Sequence, residues 1–256
     1  FAAGLGVGLV LGIAFAIFVE MQARRDNVSR SPRLPARARL RALWEAKWAL
    51  GMPVIILGGI YSGVITPTEA AAVSVVYAIL VEMLVFRSLG RADLVRITED
   101  SAINTAIIFV LLAMGGLISF FVTLAQVPDM ILGLLASAEA GRIAFLIAVN
   151  LLFFIAGMFI DPNSTLLVLV PPLYPVAMSF GIDPVHFGMV VTLNICLGMI
   201  TPPFGLDIFV ASSTLGKPVV EIIRGVWPFV VVNLIVLLLI TYVPQISLIV
   251  PKLIYG

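Results

Sequence analysis

Oxygen-bearing side chains cluster at two places inside apolar sequence where a helix cannot run through. The first is Asp161-Pro162-Asn163-Ser164-Thr165, entered through Gly157-Met158-Phe159-Ile160, and the second is Thr201-Pro202-Pro203, within Gly198-Met199-Ile200-Thr201-Pro202-Pro203-Phe204-Gly205. Carboxylate, amide, hydroxyl and backbone carbonyl oxygens are the ligands a hard cation such as Na⁺ takes. Pro202 and Pro203 carry no N–H, and Pro202 holds Thr201 out of the α region, so carbonyls of the preceding turn lose their usual donors. At a helix break, N-terminal ends attract anionic groups and C-terminal carbonyls attract cations. One break alone reads equally well as a proline kink satisfied by neighbouring helices. A pair of polar breaks in apolar sequence points to an ion and substrate site. The candidates are Asp161, Pro162, Asn163, Ser164, Thr165, Ile200, Thr201, Pro202, Pro203 and Gly205, with Na⁺ expected near Ser164 and Thr201.

Weaker candidates lie elsewhere. The polar knot Tyr61-Ser62-Gly63-Val64-Ile65-Thr66-Pro67-Thr68-Glu69 contributes Gly63, Thr66, Thr68 and Glu69. Thr66 before Pro67, with Glu69 three residues after Thr66, is a helix-start pattern, and it makes a capping carboxylate the plain reading of Glu69. Asp207 follows the second break, where two readings stand: a functional ionisable group in the membrane, or a residue lining the cytoplasmic mouth. Asn194 and Asn150 suit hydrogen bonds between helices. His186, the only histidine, is expected in an N-terminal turn at the membrane surface. No Gly-x-Ser-x-Gly, His-Glu-x-x-His, paired cysteine or phosphate-binding Lys loop occurs, so neither an enzyme nor a nucleotide-driven pump is expected, and no cofactor beyond a coupling ion.

The elements that hold these residues must lie in lipid. The chain is 61% hydrophobic and 11% charged, with a mean hydropathy of +1.17, whereas soluble domains carry about 25% charged residues. The apolar runs are continuous, which favours helices over the alternating strands of a barrel. Eight of the fifteen basic residues fall between Glu20 and Trp48, marking a cytoplasmic loop by the positive-inside rule. The single cysteine, Cys196, can form no disulfide within the chain.

Read along its length, the chain divides into six parts. Residues 1–19 form an apolar span. Residues 20–47 are the basic loop, with an amphipathic interfacial helix over 36–49 anchored by Trp44 and Trp48. Residues 48–124 hold further spans, at 70–86 and 102–124, joined by a charged connection at 87–100. Residues 125–140 suggest a second interfacial helix. Residues 141–225 hold both breaks: a hairpin with legs at 142–159 and 166–180 about a tip at 161–165, then helices at 185–200 and 204–213. The return leg, about 22 Å long, is shorter than the roughly 30 Å hydrocarbon core, so the hairpin is expected to be re-entrant. Its prolines, Pro171, Pro172 and Pro175, are expected to bend and shorten it further. Residues 226–256 give a last span and a tail. The apolar start at Phe1 reads as a fragment of a longer protein.

These segments resemble the large membrane subunit of tripartite ATP-independent periplasmic (TRAP) transporters. The resemblance is carried by Gly58-Gly59-Ile60-Tyr61-Ser62-Gly63-Val64-Ile65-Thr66-Pro67-Thr68-Glu69-Ala70-Ala71-Ala72, by Gly157 to Pro162, by Gly181-Ile182-Asp183-Pro184-Val185-His186-Phe187-Gly188, and by Gly198 to Leu206. It implies an all-α polytopic fold, the second half of an inverted-repeat elevator transporter plus the last span of the first half, with a re-entrant hairpin and a discontinuous transmembrane helix. It also implies Na⁺-coupled import of an organic acid through the bacterial inner membrane. The partners would be a periplasmic binding protein and a small four-helix membrane subunit. Asp207 departs from the Asn expected there. A carboxylate symporter working without a binding protein, and a non-transporting membrane scaffold, are the alternatives.

Overall fold

The computed structural model describes residues 2–27, 35–126, 129–130, 133 and 141–255. Helices and their connections account for the described residues, with no strand among them. The interfacial helix expected over 125–140 lies mostly outside the described residues. Among the described residues, five helices are long and apolar enough to cross a membrane, or six if a bent pair counts as one span. The chain divides into two compact units, 29–106 and 1–28 with 107–256.

In the unit of residues 29–106, α1 having been assigned to Ala2–Arg25 of the other unit, the first helix is α2 (Ala36–Glu45), which buries no side chain. A bend of 67° leads into α3 (Lys47–Tyr61). Lys47 Nζ sits 4.2 Å above the Trp44 ring and 5.3 Å from that of Trp48, so the bend gathers a cation and two indoles. Helix α4 (Pro67–Leu80) packs on α3, where Gly51 makes room for Tyr77, whose hydroxyl donates to the Trp48 carbonyl at 2.7 Å. It continues into a π-helical turn, Val81–Phe86, that stops at Arg87 in the left-handed region (φ 53°).

Helix α5 (Arg91–Leu124) runs from this unit into the other. The charged connection expected at 87–100 is therefore helical from Arg91. The Asp93 carboxylate accepts from the Gly90 N–H at 3.1 Å and starts the helix early. Its 34 residues reach about 51 Å.

In the second unit, α1 packs against α10 (Val219–Tyr242) and α11 (Gln245–Tyr255). Gly6 allows the approach to α11: a Cβ there would lie 3.0 Å from Val250 Cγ2 and 3.1 Å from the Ile246 carbonyl. Phe15 and Phe18 meet Phe229 edge-on. The tail thus forms a packed helix. The last span begins at Val219 rather than near 226, because Pro218 supplies an extended lead-in and neither Gly225 nor Pro228 ends the helix.

The hairpin is α6 (Arg142–Phe159) and α7 (Pro162–Ser179), followed by α8 (Pro184–Met199) and α9 (Leu206–Leu215). Phe145, near the start of α6, stacks on Phe180, just past the end of α7, at 5.5 Å, so the legs run antiparallel. Phe145, Val149, Phe153, Val176, Phe187 and Val191 bury a common core between the legs and α8. The return leg starts at Pro162, not 166, and the tip shrinks to two residues. Pro171, Pro172 and Pro175 lie inside it without ending it. At 18 residues it spans about 27 Å, so length alone no longer separates it from a full crossing.

Candidate ion and substrate site at two helix breaks

The hairpin tip is built by local capping. Ile160 and Asp161 are extended, Asp161 is the N-cap of α7, and Pro162 takes the first helical position, where its missing N–H costs nothing. Asp161 Oδ1 accepts from the Ser164 N–H at 3.0 Å. The Asp161 carbonyl accepts from the Thr165 N–H at 3.0 Å and the Thr165 hydroxyl at 2.9 Å. Thr165 is buried, Asp161, Pro162 and Ser164 are half-buried, and Asn163 is exposed.

At the second break α8 tightens before it stops. The N–H groups of Ile200 and Thr201 donate back three residues, to Leu197 at 3.3 Å and Gly198 at 2.9 Å. The Thr201 hydroxyl donates to the Leu197 carbonyl at 2.6 Å, and Thr201 is buried. The chain then folds sharply through Pro202 and Pro203, whose shared peptide is cis. It doubles back so tightly that a Cβ on Gly205 would lie 2.7 Å from the Met199 carbonyl and 2.8 Å from that of Thr201. Only glycine fits there. The Gly205 N–H closes the turn onto the Thr201 carbonyl at 3.1 Å.

Two glycines bring the breaks together. Gly157, in the last turn of α6, lies against Gly198, in the last turn of α8, backbone on backbone. A Cβ on Gly198 would sit 2.6 Å from Gly157 Cα and 2.9 Å from its carbonyl oxygen. Beyond this crossing, Phe159 and Phe204 meet at 5.6 Å between ring centroids. The C-terminal ends of α6 and α8 therefore converge. No backbone N–H among the described residues donates to the carbonyls of Phe159, Met199 or Ile200. Each helix end carries roughly half a negative charge. No Lys or Arg occurs between Arg142 and Lys217, and Arg142 is about 22 Å up the helix from Gly157. Two negative helix ends thus meet within a stretch of sequence that carries no basic side chain. The glycine pair and the cation-free stretch are the signals that residue-by-residue reading of the breaks passed over.

Several of the weaker candidates make contacts within the fold. Asn194 Nδ2 donates to Asn150 Oδ1 at 2.7 Å and to the Val190 carbonyl at 2.8 Å, and Asn150 Nδ2 donates to Thr241 Oγ1 at 3.2 Å. This chain ties α6, α8 and α10 together, as expected of the two asparagines. His186 lies in the N-terminal turn of α8, as expected, and is fully buried within the protein. Its Nε2 reaches the Thr241 carbonyl at 3.2 Å, which can only accept, so that nitrogen carries the proton. Its Nδ1 lies 2.8 Å from the Ser247 hydroxyl. The packing of α11 over α8, invisible to a local reading, encloses it. Asp207 is exposed in the first turn of α9, where the helix dipole favours a carboxylate.

The knot belongs to the other unit. Glu69 there completes a capping box: its carboxylate accepts from the Thr66 N–H at 2.7 Å while the Thr66 hydroxyl accepts from the Glu69 N–H at 3.3 Å. Gly63 turns the chain with φ +71°, and Thr68 is exposed.

Comparison with known proteins agrees with this architecture. A family profile described as tripartite ATP-independent periplasmic transporter, DctM component, matches residues 1–246. The chain is 43% identical over 248 residues to the ectoine/5-hydroxyectoine TRAP transporter large permease protein of Ruegeria pomeroyi, covering 97% of this chain and 58% of that protein. It is 37% identical over 252 residues to the C4-dicarboxylate TRAP transporter large permease protein of Pseudomonas aeruginosa, covering 98% and 59%. It is 37% identical over 257 residues to the sialic acid TRAP transporter large permease protein of Vibrio cholerae, covering 100% and 60%. The chain thus spans about three-fifths of the length of these relatives. A helical, multi-span chain with paired breaks, matched by the profile over all but its last ten residues, belongs to the DctM family of TRAP transporter large permeases.

Proposed function

We propose that the chain is the ion- and substrate-binding part of a Na⁺-coupled importer of an organic acid. The observation that carries this reading is the convergence of the α6 and α8 C-termini at Gly157 and Gly198, in a stretch without Lys or Arg. Na⁺ would take carbonyl oxygens of these ends with the hydroxyls of Ser164 and Thr201. Asp161, Asn163 and Thr165 would shape the hairpin side of the site, and Ile200, Pro202, Pro203 and Gly205 the other. The substrate carboxylate would lie beside the N-termini of α7 and α9, which already carry Asp161 as N-cap and Asp207 in the first turn, so the bound cation supplies most of its attraction. Cation and carboxylate then stabilise one another, which couples the two fluxes.

The family description, a tripartite periplasmic system, supports two partners: a periplasmic binding protein that delivers the substrate and a small membrane subunit. It also supports a place in the bacterial inner membrane. A re-entrant hairpin agrees with the tip lying beside an interruption that still has ten helical residues, Leu206–Leu215, beyond it. Movement as an elevator agrees with both breaks belonging to one compact unit.

The test is Na⁺-driven uptake of a radiolabelled organic acid into liposomes holding the complete transporter and its binding protein. Ser164→Ala and Thr201→Ala are each expected to raise the half-saturating Na⁺ concentration about tenfold, the equivalent of about 1.4 kcal/mol per lost ligand. Unaltered Na⁺ dependence in both variants would remove the site.

A further inference from the structure

The unit of residues 29–106 holds a groove of about 510 Å³ that the transport reading does not use. Its walls include Met52 of α3, Ala78 of α4, and Leu94, Ile97, Thr98 and Ser101 of α5. The α5 residues recur at the spacing of one helix face. The hydroxyls of Ser74 and Thr98 donate to carbonyls of their own helices at 2.7 Å, so they bring no free donor into the groove. Glu82 is the single charged residue of the lining.

Glu82 lies in the π-helical turn Val81–Phe86, a rare form that recurs at functional sites. The Ser88 hydroxyl donates to its Oε2, which leaves further lone pairs on the carboxylate. Arg87 and Arg91 flank the lining residue Leu89, and Arg96 follows one turn on. All three are exposed and none makes an ion pair among the described residues. Pro67–Phe86 and Arg91–Leu117 are both apolar enough to cross a membrane, so the connection between them belongs at a headgroup face. Within residues 82–100, Glu82, Asp93, Glu99 and Asp100 stand with Arg87, Arg91 and Arg96, so the connection carries both signs of charge.

We propose that this groove holds one aminophospholipid of the phosphatidylethanolamine type. Glu82 takes its ammonium, Arg87 and Arg91 take its phosphate, and the apolar walls of α3, α4 and α5 take the upper part of an acyl chain. Both headgroup charges then find an opposite partner in a site of lowered dielectric. A choline headgroup has the same charge but no N–H to give to Glu82, and a glycerol headgroup has no cation at all.

The experiment is native mass spectrometry of the chain released from nanodiscs made of equal parts phosphatidylethanolamine, phosphatidylcholine and phosphatidylglycerol. The expected result is retention of phosphatidylethanolamine about tenfold over either competitor, the scale of one charge-assisted hydrogen bond. Glu82→Gln keeps the shape and is expected to bring the ethanolamine-to-choline ratio to about one. Arg87→Gln with Arg91→Gln is expected to lower retention of both zwitterionic lipids equally. Ala78→Phe fills the groove without touching the headgroup residues and is expected to abolish retention. Equal retention of choline and ethanolamine lipids by the unaltered chain, preference for phosphatidylglycerol, or indifference to Glu82→Gln would each overturn the proposal. So would a second chain, rather than lipid, occupying the groove.

Discussion

Gly198→Ala tests the contact on which the site depends. The new Cβ would lie 2.6 Å from Gly157 Cα, whereas ordinary contact begins at 3.4 Å, so the two backbones must separate by at least 0.8 Å, the difference of those distances. Nothing nearby is a flexible side-chain end that could yield, because the neighbours are backbone atoms. Overpacking of this kind costs about 1–3 kcal/mol. Alanine recovers about 1 kcal/mol of helix propensity, so the net loss is expected to be about 0–2 kcal/mol. Gly188→Ala, on the same helix with open space around it, isolates the propensity gain and is expected to stabilise by about 0.5–1 kcal/mol. Gly157→Ala is expected to be milder than Gly198→Ala, since its Cβ would meet Ile195 Cα and carbonyl at 3.1 Å and Gly198 Cα at 3.3 Å. The assay is thermal unfolding in detergent, paired with a short bis-maleimide across Phe159→Cys and Phe204→Cys in a Cys196→Ser background. The expected order of melting temperature is Gly188→Ala, unaltered chain, Gly157→Ala, Gly198→Ala, with crosslinking lost in the last. A Gly198→Ala chain that melts with Gly188→Ala and crosslinks normally would refute the close crossing and, with it, the joining of the two helix ends.

Three further outcomes follow from local geometry. Asn194→Ala removes donors to the buried Asn150 and to Val190 and is expected to cost about 1–2 kcal/mol; a melting temperature equal to that of the unaltered chain would contradict the network. Asp161→Asn keeps an oxygen for the Ser164 N–H, whereas Asp161→Ala loses it, so stability is expected to fall by about 1 kcal/mol in the alanine variant alone. Hydrogen exchange at Ser164 distinguishes the two, and equal protection would count against the cap. Thr66→Ala opens the capping box at the start of α4; about 0.5–2 kcal/mol of helix stability is expected to go, seen as faster exchange at the Glu69 amide.

Much of this protein was legible in one dimension. Low charge and long apolar runs determine a helical membrane chain, because unpaired backbone groups cannot rest in lipid. Thr66-Pro67-x-Glu69 determines a helix start, since a capping oxygen and a ring-fixed φ act within a few residues, and the same chemistry at Asp161-Pro162 starts α7 four residues earlier than expected. Pro202 and Pro203 determine the second break by removing two donors. Tertiary structure decided the rest. The three prolines of α7 do not end it, and the residues expected as a tail fold into α11, because packing outweighs local propensity. His186 is enclosed only by the return of α11 over α8. Above all, the distance between the breaks is not a sequence property. It is set by Gly157 meeting Gly198, where the absence of two side chains lets one backbone rest on another and turns two interruptions into one place.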